Sequence, residues 1–535
     1  MSRTVTLRPW QKAALERLAA SSSPDFLAVA TPGAGKTTFA LTAARQAMAG
    51  DPRLRLLVVV PTAHLKVQWA YAASAFDLHL DWQWSPAEGA LPPDMHGVVT
   101  TYQQVATAGR VLRGLAHDAL VIFDELHHAA EERAWGDALR EAFEVAPRRL
   151  ALSGTPFRSD THAIPFVRYH LDEAVPDYEY NYGDALADGG VVRPVYFPRV
   201  DGMMEWSAPD GSLHAHSFDD PLDAARAGQR LRTAYSVEGE WLPHVLRQAH
   251  ERLLEIRRRQ PDGGGLVIAT DQEHAKGIAR LLTDRLEVRA VVATSDDPGA
   301  SALISRFATG TEPWIVAVRM VAEGVDIPRL RVGVFATTTT TELFFRQAVG
   351  RLVRWTRGSG RQHSFLYIPD EPRLRARAFA IAEQRRHSLR HDDRGLGARE
   401  PVEDAGAGEQ FSLFAPISAV PLEAGAGGPD WLHDGDGAPE PPADATLTIP
   451  LPPLPLAGRP ADGRTRREHK AHLRKANADK GRLIAHHTGL THAGVNAELN
   501  RVSGVQKVSE ATVEQLQRRL AKADAWLTHA TARRM

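Results

Sequence analysis

The chain has 535 residues, enough for about three domains of ordinary size, and its formal net charge is −1. Its apolar fraction of 43% is that of a globular protein. It contains no cysteine, which excludes disulfides, thiolate zinc sites and cysteine nucleophiles. No apolar run is long enough to span a membrane, and residues 1–7 lack the apolar core of a signal peptide. We therefore expect a cytoplasmic protein with no membrane partner.

A glycine-rich stretch lies between a predicted strand at residues 26–29 and a predicted helix at 39–48. Such a loop can turn its N–H groups toward a phosphate chain, with a lysine at the terminal phosphates and a hydroxyl on Mg²⁺. The strand and the helix favour this interpretation over a chance glycine loop. The residues expected to bind a nucleotide are Thr31, Gly33, Ala34, Gly35, Lys36, Thr37 and Thr38, with Thr37 also a Mg²⁺ ligand.

Two carboxylates follow the apolar run 120–123, which predicts a buried strand. Asp124 would hold Mg²⁺, and Glu125 would orient and deprotonate an attacking water. A solvated helix start is the alternative, but a strand directly in front favours the functional interpretation. Residues 98–102 predict another strand that ends in hydroxyl side chains. Those hydroxyls suit either sugar-phosphate contacts or ordinary turn chemistry.

A second alternation of strands and helices begins near residue 266 and ends with a predicted helix at 341–352. This helix leads to Arg351 and Arg354, which are three residues apart and so lie on one helix face. Guanidinium groups placed against a transferring phosphoryl group stabilise its developing charge. The second half therefore supplies candidate partners for the phosphate loop of the first half.

In their order along the chain these stretches resemble the motifs of superfamily 2 helicases of the DEAH-type group, which includes XPB, RadD and restriction-type members. The loop 30–38 matches the family's variant with alanine in the first position, and 124–127 matches its acidic box. The remaining matches are Arg8 and Gln11 with the adenine-reading motif, Ser153 and Thr155 with the coupling motif, Gly324 and Asp326 with the motif that links nucleotide to nucleic acid, and Gln347, Gly350, Arg351 and Arg354 with the arginine motif.

The resemblance implies two tandem RecA-like parallel-sheet α/β domains with ATP and Mg²⁺ between them. It implies a catalytic set of Lys36, Glu125, Gln347, Arg351 and Arg354, with His127 coupling the nucleotide site to the second domain. The implied activity is an ATP-dependent DNA helicase or translocase in repair, replication or phage defence, which grips single-stranded or duplex DNA mainly by its backbone. An RNA helicase and a nucleic-acid-sensing ATPase or scaffold remain open as alternatives.

From composition and pattern we expect a first RecA-like domain at 1–185, an insert or connection at 186–240 with a hairpin around 208–211, and a second RecA-like domain at 241–395. Residues 396–462 are rich in Gly, Ala, Pro and acids and predict a disordered linker. Residues 463–535 predict a small, basic α-helical accessory domain. Its charge suits either nucleic-acid contact or a solvated face.

One short segment of the linker has anchor residues of its own. Residues 410–414 read Gln-Phe-Ser-Leu-Phe, similar to the peptide by which bacterial proteins bind the replication sliding clamp. Gln410, Leu413 and Phe414 would be the anchors. Docking of this segment on the protein's own RecA-like core is the alternative.

Overall fold

The computed structural model describes residues 4–91, 95–127, 133–154, 163–170, 173–208, 211–294, 297, 299–318, 327–356, 360, 362–389, 415–421, 446–452, 466–505, 508, 511 and 513–532. Across these residues every helix is too short or too polar to cross a bilayer. The described chain forms two parallel sheets flanked by helices, and three further helices follow toward the C-terminus.

The first domain alternates strands and helices from its N-terminus onward. Its strands are β1 Thr4–Leu7, β2 Asp25–Ala30, β3 Arg55–Val60, β4 Leu80–Asp81, β5 Gly97–Thr101, β6 Ala119–Phe123, β7 Arg148–Ser153, β8 Tyr169–His170, β9 Glu173–Ala174 and β10 Tyr178–Tyr180. Its helices are α1 Pro9–Ala20, α2 Lys36–Gly50, α3 Ala63–Ser74, α4 Tyr102–Ala116, α5 Arg133–Phe143 and α6 Tyr182–Ala187.

Seven of these strands form one sheet in the order β10-β2-β7-β6-β3-β5-β4, and every described pairing within it is parallel. Successive residues of β3 alternate between two apolar cores, with Leu56 and Val58 in one and Leu57 and Val59 in the other. Burial on both faces explains why these strands are continuous apolar runs. Because the strands are parallel, their carboxyl ends meet at one edge of the sheet.

The second domain repeats this plan. Its strands are β11 Val195–Tyr196, β12 Arg199–Val200, β13 Gly202–Ser207, β14 Leu213–Ser217, β15 Gly264–Ala269, β16 Ala290–Ala293, β17 Trp314–Val318, β18 Leu330–Ala336 and β19 Ser364–Pro369. Its helices are α7 Ala224–Ala234, α8 Trp241–Arg257, α9 Gln272–Leu286, α10 Ala300–Thr309, α11 Glu342–Leu352 and α12 Pro372–Leu389.

The second sheet has the order β11-β19-β18-β15-β17-β16, with β12 also paired to β19, and its described pairings are all parallel. The expected α/β class with two RecA-like parallel sheets and a helical C-terminal part is thereby confirmed.

Residues 186–240, expected as an insert, contribute directly to the second sheet. β11 and β12 lie in this range and pair with β19, near the far end of the same domain. Each has only two residues, too few for an alternating pattern to be visible in sequence. The hairpin around residues 208–211 is present as β13 and β14, with Ser207 opposite Leu213.

Two segments of the range expected to be a disordered linker are strands. β20 (Ala415–Pro421) adds to β13, where Ala419 is buried in the core of the second domain. β21 (Leu447–Pro450) pairs antiparallel with β1, and the following Leu451 is buried in the core of the first domain. Short apolar segments can therefore dock on preformed sheet edges even where the surrounding composition predicts disorder.

The C-terminal helices are α13 Arg466–Thr488, α14 His492–Ser503 and α15 Val513–Ala532. Arg519 is 1% exposed and holds them together by donating to Asn477, Asn496 and Asn500. We call α13, α14 and α15 the three-helix unit.

Candidate active site

The phosphate loop between β2 and α2 is held from one side by α1. Its successive carbonyls at Gly33, Ala34 and Gly35 accept hydrogen bonds from Arg8 Nη1 at 2.8 Å, Trp10 Nε1 at 3.1 Å and Gln11 Nε2 at 2.9 Å. Since C=O and N–H point in opposite directions across a trans peptide, the N–H groups of Gly35 and Lys36 face away from α1.

The same loop meets the start of α2. Gly33 and Gly35 have φ of +83° and +93°, which favours glycine at both positions. The first N–H groups of α2, at Lys36, Thr37 and Thr38, have no acceptor within the helix. This concave surface of N–H donors at a helix N-terminus is suited to an anion. Thr31 is buried at the loop's start, where its N–H donates to Tyr180 O.

Arg8 and Gln11 were expected to read an adenine edge, whereas in the structure they bind the loop itself. The Gln11 side chain is 2% exposed, and its Oε1 accepts from the Arg8 N–H while its Nε2 donates to Gly35. Both ends of this amide are thus engaged within the protein. Its visible function is to fix the shape of the phosphate loop.

Lys36 and Glu125 form an ion pair in front of the loop. Lys36 Nζ lies 3.1 Å from Glu125 Oε1 and also donates to Ala30 O, while Glu125 Oε2 accepts from the Gly154 N–H at 2.9 Å. A Cβ at residue 154 would lie 3.2 Å from Lys36 Nζ, so little space remains between this backbone and the ion pair. Burial raises the pKa of Glu125, but Lys36, His127 and the Gly154 N–H outweigh it and lower the pKa to about 2. Glu125 is therefore an ionised base at neutral pH.

Asp124 ends β6 on the same edge of the sheet and is 9% exposed. Its Oδ2 accepts from Trp69 Nε1 at 2.7 Å, and its backbone carbonyl accepts from the Tyr102 hydroxyl at 2.9 Å. Trp69 of α3 therefore orients the carboxylate, and Tyr102 of α4 holds the backbone that carries it. In the described part of the chain no three His, Asp or Glu side chains cluster closely enough to hold a metal by themselves.

His127 connects the two domains. Its Nδ1 lies 3.4 Å from Ser153 Oγ and 3.6 Å from Glu125 Oε2, and its Nε2 lies 3.1 Å from Gln347 Nε2 on α11. The side chains of Gln347 and His127 are thus within hydrogen-bond distance of one another across the two domains. One imidazole thus joins the acidic box, the end of β7 and the second domain.

The arginine-bearing helix α11 lies against the phosphate loop. A Cβ at Gly350 would be only 2.6 Å from Cγ of Pro32, so the two domains touch at a position that only glycine fits. At the end of α11, Cγ of Arg354 would lie 3.6 Å from a Cβ built on Gly33. Arg351 lies one turn earlier on α11 and is partly buried. The structure therefore brings Arg354 to the loop predicted to bind a nucleotide. The two arginines were expected on one helix face, but α11 ends at Leu352 and Arg354 lies beyond it in a β-bridge with Val192.

Arg193 is a buried residue that sequence reasoning missed. It is 0% exposed and donates to the carbonyls of Pro328 at 2.5 Å and Leu330 at 3.3 Å, and also to the Arg354 carbonyl. Its own N–H donates to Val353 O at 2.7 Å. Burial, with Arg331 nearby, lowers the pKa of Arg193 well below its usual range. Arg193 fixes the backbone that carries Arg354.

Trp69, Tyr102 and the Gly154 N–H were also missed, because their partners are distant in sequence. The signal for Arg193 was present: it is a single cation directly after the apolar pair Val191-Val192. Thr155, Gly324 and Asp326 lie outside the described residues, as do Gln410, Leu413 and Phe414. The other predicted site residues gather around the phosphate loop and its contact with α11.

The two halves of this site correspond to two family models. The Type III restriction enzyme res subunit model matches residues 4–158, and the helicase conserved C-terminal domain model matches residues 247–356. A Mycobacterium tuberculosis relative, uncharacterized protein Rv2917, is 47% identical over 405 residues, covering 74% of this chain and 66% of that protein. The chain thus spans about two thirds of the length of this relative.

Two further proteins are more distantly similar. The DNA 3'-5' translocase XPB2 of Sulfurisphaera tokodaii is 25% identical over 346 residues, covering 60% of this chain and 73% of that protein. The structure of a fragment of a putative HsdR subunit of a type I restriction enzyme from Vibrio vulnificus has 20% sequence identity and a TM-score of 0.47. The match covers 68% of this chain and 63% of that chain. With both family models in order along two RecA-like domains, the chain belongs to the superfamily 2 helicases.

Proposed function

We propose that the protein is an ATP-dependent DNA helicase or translocase of the DEAH-type group, acting in DNA repair, replication or phage defence. The observation that carries this proposal is the contact of α11 with the phosphate loop, where Gly350 meets Pro32 and Arg354 lies beside Gly33. One domain presents the loop, Lys36 and Glu125, and the other presents the arginines. Hydrolysis would then require the two domains to be closed, which links it to domain motion.

The donor set fits ATP and Mg²⁺. The N-terminus of α2 offers N–H groups and Lys36 offers a cation to a phosphate chain. Thr37 and Asp124 would hold Mg²⁺, which usually keeps few protein ligands and takes the rest from phosphates and water. The ion, when bound, would neutralise charge on the phosphate oxygens. Trp69 would keep the Asp124 carboxylate oriented for that contact.

The remaining residues would act on the water and on the transferring phosphoryl group. Glu125 is ionised and would accept a proton from the attacking water. Arg351 and Arg354 would stabilise the charge that develops on the phosphoryl oxygens. Contact between Gln347 and His127 would connect the acidic box to the second domain when the cleft closes. Each role depends on a position in the closed arrangement of domains.

DNA is proposed over RNA because of the similarity to a DNA translocase and to a restriction enzyme subunit. The hydroxyls at the end of β5 give no support to either choice, because Thr100 and Thr101 are buried. Thr100 Oγ1 donates to Gln104 Oε1 and Thr101 Oγ1 accepts from the Gln104 N–H, which is the turn chemistry of a helix start.

The deciding experiment compares ATP hydrolysis with single-stranded DNA, duplex DNA and RNA, followed by a strand-displacement assay. We expect stimulation by DNA, and loss of turnover in Lys36→Ala and Glu125→Gln. Stimulation by RNA alone would point to an RNA helicase. Stimulated hydrolysis without displacement would favour a translocase or sensor. Wild-type hydrolysis in either variant would overturn the site assignment.

We also propose that residues 410–414 dock on the bacterial sliding clamp through Gln410, Leu413 and Phe414. The support is the spacing of one glutamine and two apolar anchors in an acidic, proline-rich surrounding. Binding of the full chain to purified clamp should be lost when all three are changed to alanine. Unchanged binding in that variant would refute the assignment, and docking on the RecA-like core would then be the explanation to test.

A further inference from the structure

The positive charge of this chain is concentrated at its C-terminal end. Residues 463–535 contain 15 Lys and Arg against six Asp and Glu, while the preceding residues contain 49 against 59. The acid excess lies in the linker: residues 1–395 contain 47 Lys and Arg against 48 Asp and Glu, and residues 396–462 contain two against 11. A protein with a net charge of −1 therefore consists of a nearly neutral two-domain part, an acidic linker and a strongly basic three-helix unit. Such asymmetry is typical of chains that bind a polyanion with one part only.

Within the unit, one face of α13 carries exposed basic side chains. His472, Lys475, Arg482 and His486 are all exposed, and we call them the α13 stripe. At 100° per residue they fall within an arc of about 80°, and they extend over about 21 Å of the helix. Leu473, Asn477 and Ile484 are buried on the opposite face. The stripe therefore faces away from the unit's own core.

Between residues 472 and 486, one acidic side chain lies within this arc. Asp479 sits beside Arg482, and the two form an i, i+3 ion pair at 2.5 Å. The Arg482 side chain is 68% exposed, and exposed pairs of this kind contribute little stability. Arg482 is thus able to face a second anion, and Asp479 is the side chain that would oppose it.

The unit contacts the first domain next to its outer strand β4. Arg474, on the flank of α13 between core and stripe, donates from Nη1 to Gln83 Oε1 at 2.8 Å and from Nε to Val508 O. Gln83 follows the end of β4, next to β5 in the parallel sheet. β4 is the outer strand of this sheet and pairs with Gly97 and Val98, the first two residues of β5. The three-helix unit therefore lies beside the outer strand of the first sheet.

We infer that the α13 stripe is a second nucleic-acid contact, which binds the phosphodiester backbone of the strand that crosses the two RecA-like domains. This inference deepens the proposed function, since that function supplies the strand. The contact is electrostatic and independent of sequence. Through this contact the protein would stay bound to the nucleic acid whether the ATP cleft is open or closed.

The test measures binding of the full chain to a fluorescein-labelled single strand of DNA by anisotropy, over about 50–200 mM salt. The double variant Lys475→Gln/Arg482→Gln should bind roughly tenfold more weakly at low salt, and its slope of log K against log salt should fall by about 1.4. The matched control is Lys276→Gln/Arg280→Gln, two exposed cations on α9 of the second domain. It should keep the wild-type slope.

Asp479→Asn supplies a prediction of opposite sign. Removing this carboxylate should tighten binding, which general damage to the unit would not do. The same measurement with labelled duplex DNA and with labelled RNA shows which kind of nucleic acid the stripe binds. A stripe variant with wild-type slope on all three, or an Asp479→Asn variant with unchanged affinity, would overturn the inference.

The same measurements separate this inference from the proposed function. If nucleic acid stimulates ATP hydrolysis by the wild type while the stripe variant keeps the full salt slope, the proposed function is supported and the contact at the α13 stripe is rejected. If the salt slope falls in the stripe variant although no nucleic acid stimulates ATP hydrolysis, the contact at the α13 stripe is supported and the motor function is rejected.

Discussion

Gly350→Ala tests whether closure of the two domains is required for turnover. The new Cβ would lie 2.6 Å from Cγ and 2.8 Å from Cβ of Pro32, whereas carbon atoms in contact are usually about 3.5–4.0 Å apart. The proline ring is rigid, so α11 must move away from the phosphate loop by about 1 Å to reach that separation. Arg351 and Arg354 would move with it. A misplacement of about 1 Å can cost roughly 10²-fold in rate, so we expect a loss of turnover of that order.

The assay is steady-state ATP hydrolysis combined with thermal unfolding. The substitution removes a glycine from a helix interior, which alone should stabilise α11 by about 1 kcal/mol, so a global loss of stability is not expected. Gly228→Ala in α7 is the control, because a Cβ there meets nothing within 4 Å. It should raise stability slightly and leave turnover unchanged. Hydrolysis by Gly350→Ala at the wild-type rate would show that the closed contact is not the catalytic arrangement.

Three further predictions concern residues held in the same site. Because the pKa of Glu125 is about 2 against an ordinary 4.5, its stabilisation is present above 4.5 and is lost as pH falls through 2. Between pH 4.5 and pH 2, the free energy of unfolding measured in urea should therefore fall less for Glu125→Gln than for the wild type. Arg193→Gln should lower kcat with little change in the KM for ATP, whereas equal effects on both would contradict a positioning role. Trp69→Phe should lower the free energy of unfolding by about 1–3 kcal/mol, because the Asp124 carboxylate loses a buried donor; no change would mean that water replaces the indole.

The parts of the fold that sequence predicted are those specified locally. β3 and β6 are continuous apolar runs because both faces of the sheet are covered, so their burial is visible in the residues themselves. The phosphate loop is likewise specified by adjacent glycines and the following Lys36. Its resemblance to a known family then pointed to the second half of the site.

The parts that could not be predicted depend on partners far along the chain. The hydrogen bond from Trp69 to Asp124 joins two elements that each look ordinary alone. β11 gains its strand character only from pairing with β19, some 170 residues later. Arg193 is stabilised by backbone carbonyls, and carbonyls carry no sequence signal.

The pairing of β1 with β21 sets an order of events during synthesis. Thr6 and Thr448 lie opposite one another although 442 residues separate them. At roughly 5–20 residues per second, a ribosome would need about 20–90 s after making β1 to deliver its partner. During that interval the first domain has an open strand edge at Thr4–Leu7 and lacks the cover that Leu451 later provides. β1 is therefore a place where a nascent chain is exposed to chaperones or to misassociation until residues 447–450 have been made.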